Sequence, residues 1–160
     1  MEESGFHSVA GFILAVLFAA VLGLCIFAIL YAEFAQSGGT VNDRERTTLI
    51  IAAIAAALAA LLSWLLQKYA AHRGFGIRAL YGLLIYLILF AGLGGMLELG
   101  YGIATNTGTI DFSPSGLYFL SLGAFYSFAI HLVGQQIFWI IGLFFSAGVY
   151  LAIVGPRKIY

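Results

Sequence analysis

The chain has 160 residues, of which 62% are hydrophobic and 9% charged, and its mean hydropathy is +1.04. Soluble domains carry about 25% charged residues, so this chain lacks the polar surface to cover itself in water and is expected to use a lipid bilayer as solvent. Seven Lys plus Arg against seven Asp plus Glu leave no basic excess for a nucleic-acid partner, and the length allows one domain of a few helices.

In chain order, the first apolar block covers residues 9–32. A bilayer crossing takes about 20 apolar residues, so the block is long enough to span. The N-terminus holds Glu2 and Glu3 and no Lys or Arg before the block. A cleaved leader has a basic start and a shorter apolar stretch, so the block reads as a retained span. Within it, Gly11, Ala15, Ala19 and Gly23 recur every four residues. Such a ladder lets another helix backbone come close, which is how helices gain packing energy in lipid. Cys25 is the one cysteine. It makes neither an internal disulfide nor a cysteine metal site and reads as a small buried hydrophobe.

A polar loop, residues 36–47, carries Gly38, Gly39 and Asn42, which mark a turn. The second span covers residues 48–67 and holds a second ladder, Ala52, Ala56 and Ala60. Next come Lys68, His72, Arg73 and Arg78, a short basic loop. The third span covers residues 79–99, with Gly92 and Gly95 as a partial ladder. All three ladders are expected to pack the protein's own bundle before they serve a partner.

From Phe112 to Pro156 the chain has no Asp, Glu, Lys or Arg. Ser113-Pro114 is a good helix start, because Ser caps free N–H groups and Pro suits the first helical position. One helix over residues 114–154 would be about 60 Å long, twice the hydrocarbon thickness, and Gly134-Gln135-Gln136 is the polar break. Charge decides the division. With a last span over residues 135–154, one side holds Lys68, Arg73, Arg78, Arg157 and Lys158, and the other holds Arg44 and Arg46. That asymmetry agrees with the positive-inside rule. A fifth span would erase it. The expected fold is therefore an all-α integral membrane protein with four transmembrane helices and both termini cytoplasmic, in a plasma or bacterial inner membrane. Residues 114–133 form an interfacial or re-entrant helix, and five transmembrane helices are the alternative.

Few residues carry chemistry. His131 has Ser127 and Gln135 four residues to either side, a polar stripe suited to local hydrogen bonds. A membrane His also serves as a haem ligand or proton relay, but haem ligation by two histidines needs a second His at similar depth, and His7 and His72 sit at span edges. Glu33 and Glu98 lie at span ends on the side of Arg44 and Arg46. They read as interfacial charges or a loop-anchoring ion pair, or more sharply as an acidic vestibule for a cation or proton. There is no phosphate loop and no His-Glu-x-x-His helix. No catalytic residue, cofactor or metal ligand is assigned. The expected function is an accessory or structural assembly subunit of a larger membrane complex, without catalytic activity, whose partners are the lipid bilayer and other transmembrane subunits or a second copy. The alternative is a small oligomeric transporter or channel component moving protons or cations. A redox or catalytic role ranks third.

Overall fold

The computed structural model describes residues 3–36, 43–105, 112–132 and 137–154, with side chains described for most of them. Every described element is helical: α1 (Glu3–Gln36), α2 (Asp43–Leu66), a 3-10 turn (Gln67–Ala70), α3 (Phe75–Thr105), α4 (Pro114–Leu132) and α5 (Ile137–Val154). Three stretches are long and apolar enough to cross a membrane, Val9–Ala32, Arg46–Ala70 and Phe75–Thr105. A shorter apolar helical stretch covers Ile141–Leu151. Their outer faces stay apolar: Leu24, Ile54, Ile88 and Phe145 are each exposed. A water-soluble monomer rarely exposes such continuous apolar surface.

Inter-helix contacts fix the direction of each helix. Phe12 of α1 meets Trp64 of α2, with ring centroids 5.8 Å apart, while Gly23 lies against Ala53 and Ala57; α1 and α2 are antiparallel. Gln67 bonds Arg78 at one end of the α2–α3 pair, and Tyr86 bonds the Ala56 carbonyl further along; this pair is antiparallel too. On α5, Phe144 meets Tyr86 and Phe90, and Gly148 lies against Ala79 and Leu83. The α3 numbers fall as the α5 numbers rise, so α5 runs antiparallel to α3 and its C-terminal end lies beside the α2–α3 turn. Tyr150 then reaches α1, where its hydroxyl donates to the Leu14 carbonyl at 2.8 Å and its ring stacks on Phe18 at 3.9 Å.

The result is a ring of four helices in the order α1, α2, α3, α5, each antiparallel to its neighbours, with α5 closing back onto α1. This up-down-up-down arrangement suits short loops. Helix α4 lies outside the ring and packs on α3. It begins where the residue pattern requires: Pro114 is its first residue, and the Ser113 hydroxyl accepts a hydrogen bond from the Gly116 N–H at 3.1 Å. That bond satisfies one of the free donors of the first turn.

The middle of the ring is built large against small. Helix α2 contributes Ala52, Ala55, Ala56 and Ala59, and α1 and α3 fill the space with Leu22, Ile26, Leu30, Tyr86 and Phe90, all buried. Tyr86, Phe90 and Phe144 form an aromatic group with edge-on pairs at 5.4 and 5.2 Å, the geometry aromatic rings prefer.

Candidate functional site

The buried polar side chains among the described residues divide between the two ends of the ring. At the α2–α3 turn they are Ser63, Gln67 and Arg78, and toward the opposite end Thr48 and Glu98. Between the two ends the core is apolar.

The turn-end group follows from α2's own periodicity. Residues four apart share a helix face, and the series Ala55, Ala59, Ser63, Gln67 is buried throughout. The apolar stripe thus ends in a hydroxyl and an amide. Gln67 is fully buried, at 0% exposure, in the 3-10 turn that tightens the end of α2. Its Nε2 donates to the Arg78 carbonyl at 3.1 Å, which ties the end of α2 to the first turn of α3. Gly82 makes room for it, since a Cβ there would lie 2.5 Å from the Gln67 Nε2. Gly148 of α5 closes the group from the third side, its would-be Cβ 2.9 Å from the Ala79 carbonyl oxygen. Neither the Ser63 Oγ nor the Gln67 Oε1 has a hydrogen-bond partner among the described residues. A buried polar atom left unpaired costs about 1–3 kcal/mol. Chemically the Gln67 amide is a neutral staple set beside the cationic guanidinium of the buried Arg78, and among the described residues of this group no nucleophile is paired with a base.

Glu98 is the notable group toward the other end. It is 6% exposed, and its Oε2 has no hydrogen-bond partner among the described residues. The Tyr86–Ala56 pairing sets the antiparallel register. Twelve residues beyond Tyr86, Glu98 levels with residue 44, at the start of α2. Burying a carboxylate is costly unless it is paired, so this position favours a hydrogen-bond donor or a cation.

The other sequence candidates are spread out. Arg46 is exposed. Glu33, Arg44 and His131 lie in α1, α2 and α4, but their side chains, like all of Gln135, lie outside the described residues. Of the ladder residues, Ala15, Ala19, Gly23, Ala52, Ala56, Ala60 and Gly95 are buried and Gly11 is half-buried, whereas a Cβ on Gly92 would meet nothing within 4 Å. Among the residues with described side chains, no three His, Cys, Asp or Glu converge on a metal site.

Sequence reasoning passed over Ser63, Gln67, Gly82 and Gly148, and treated Arg78 as a loop cation. Helix α3 begins at Phe75, which draws Arg78 into its first turn and buries it. The four-residue series ending at Gln67 was the available signal. Comparison of the chain with protein-family models, with curated proteins and with solved structures returns no match.

Proposed function

We propose that the chain is an integral membrane protein with four crossings, α1, α2, α3 and α5, and serves as an accessory or assembly subunit of a larger membrane complex without catalytic activity. Parity supports the crossings. Helices α3 and α5 are antiparallel, so the segment between them starts and ends on one side, and α4 makes no full crossing. Both termini then share the side of Lys68 and Arg73, which the positive-inside rule makes cytoplasmic.

The observation that carries the assembly reading is the position and surface of α4. It stands outside the ring on α3 with Tyr118, Phe119 and Leu122 exposed, an apolar face that calls for cover by a partner chain or by the interfacial layer, where aromatics are enriched. The apolar middle of the ring also argues against a polar path through a single copy, which a transporter builds from charged or broken helices.

Purification in mild detergent tests this. Stoichiometric co-purification with other membrane chains is expected, and Phe119→Lys is expected to release them. Isolation as a lone, monodisperse oligomer that makes vesicles permeable to an ion would sink the assembly reading. The second reading, a proton or cation conductor, is favoured by one observation, the buried Glu98 with its unpaired oxygen. It predicts that Glu98→Gln abolishes flux in reconstituted vesicles.

A further inference from the structure

Helices α3 and α5 touch at Gly148, which lies against Ala79 and Leu83. Between them lies an open cleft of about 280 Å³, lined by Phe75, Gly76, Ala79 and Leu83 of α3 and by Phe145 and Val149 of α5. Its shape follows from side-chain size. Gly76 and Ala79 leave the wall low, a Cβ on Gly76 meeting nothing within 4 Å, while the exposed rings of Phe75 and Phe145 stand beside it. The lining is wholly apolar in residue type, so no water is held there by polar partners. An apolar cavity of about 150 Å³ already takes up a benzene-sized molecule. This cleft has room for a longer hydrocarbon.

Charge lies next to it. Arg73 is two residues before Phe75, at most about 7.6 Å along the chain, and it is exposed. In a bilayer the cleft faces acyl chains while the turn sits at the headgroup level of the same leaflet. An exposed cation beside an apolar cleft between membrane helices fits an anionic lipid.

We infer that this cleft binds one acyl chain of an anionic phospholipid, with its phosphate held by Arg73. The inference rests on the reading that α3 and α5 cross a bilayer; it does not depend on the accessory role. A tightly held lipid here would occupy the α3–α5 seam beside the Gln67 staple and brace the end of the bundle.

The test uses the full chain, purified in mild detergent and mixed with phosphatidylglycerol and phosphatidylcholine of identical acyl chains, with retained lipid counted by native mass spectrometry. One phosphatidylglycerol per chain is expected to be retained in preference. Arg73→Gln, on the exposed turn and away from packed helices, is expected to lower the preference about fivefold, the equivalent of about 1 kcal/mol for one surface cation. Gly76→Leu fills the cleft and is expected to lower retention of both lipids, whereas Ile88→Leu, on α3 away from the cleft, leaves both unchanged. Equal retention of the two lipids by the unaltered protein overturns the inference. So does full retention by Gly76→Leu, or a second polypeptide that Gly76→Leu displaces while lipid binding stays unchanged. Partner chains at fixed stoichiometry in the same spectra report on the assembly reading separately.

Discussion

Replacing Gly148 with Ala should loosen the bundle where α5 meets α3. The added Cβ would stand 2.9 Å from the Ala79 carbonyl oxygen, 2.9 Å from the Leu83 Cβ and 3.2 Å from the Leu83 nitrogen. Two of these are backbone atoms of α3, which have no rotamer to change. Restoring ordinary contact at 3.4 Å moves α5 away by about half an ångström, and a gap of 0.5–1 Å forfeits a quarter to a half of each dispersion contact. The contacts affected include Phe144 with Tyr86 and Phe90 and the Tyr150 bond to Leu14. Overpacking of this kind costs about 1–3 kcal/mol, while Ala gains about 1 kcal/mol over Gly in a helix. The net expectation is a loss of about 1 kcal/mol. Gly142→Ala on the same helix is the internal control, because a Cβ there meets nothing within 4 Å, and it should gain about 1 kcal/mol. The two variants should therefore differ by about 2 kcal/mol, or roughly thirtyfold in the folding equilibrium. Titration with sodium dodecyl sulfate from a mild-detergent micelle, followed by circular dichroism, reads this difference. Equal midpoints for the two variants, or a higher midpoint for Gly148→Ala, would refute the close approach of α5 to α3.

A topology reporter fused after Tyr160 should report the same side as one inserted in the exposed turn at Arg73; opposite sides would restore the five-crossing alternative. Gln67→Leu should change stability by less than about 1 kcal/mol, since it loses one hydrogen bond but also removes an unpaired oxygen. Gln67→Ala adds a cavity and should cost about 2 kcal/mol, so equal midpoints for the two in the same titration would contradict the packed staple. Tyr150→Phe should cost about 0.6 kcal/mol, the average worth of an inter-helix hydrogen bond in a membrane bundle, and a double-mutant cycle with Phe18→Leu separates that bond from the ring stacking.

The helical class and the long apolar stretches were legible in the sequence, because hydropathy and chain length act locally. The start of α4 was equally legible, since Ser113 and Pro114 act on their own first turn. The face each helix turns to its neighbours was not. In a water-soluble bundle, polarity marks the outside of a helix. Here outward-facing positions such as Ile88 and ring-facing positions such as Phe90 are both apolar, so periodicity carries little information about which is which, and only the fit between neighbouring helices decides. The turn-end site was hidden for the same reason. Gln67 and Arg78 look like the rim of a loop until α3 is seen to begin at Phe75, and Gly82 and Gly148 acquire meaning when α5 lies against them. The uncharged run from Phe112 to Pro156 contained enough apolar length for two helices. Which way the second one runs was decided by Phe144, Gly148 and Tyr150 meeting partners more than fifty residues away.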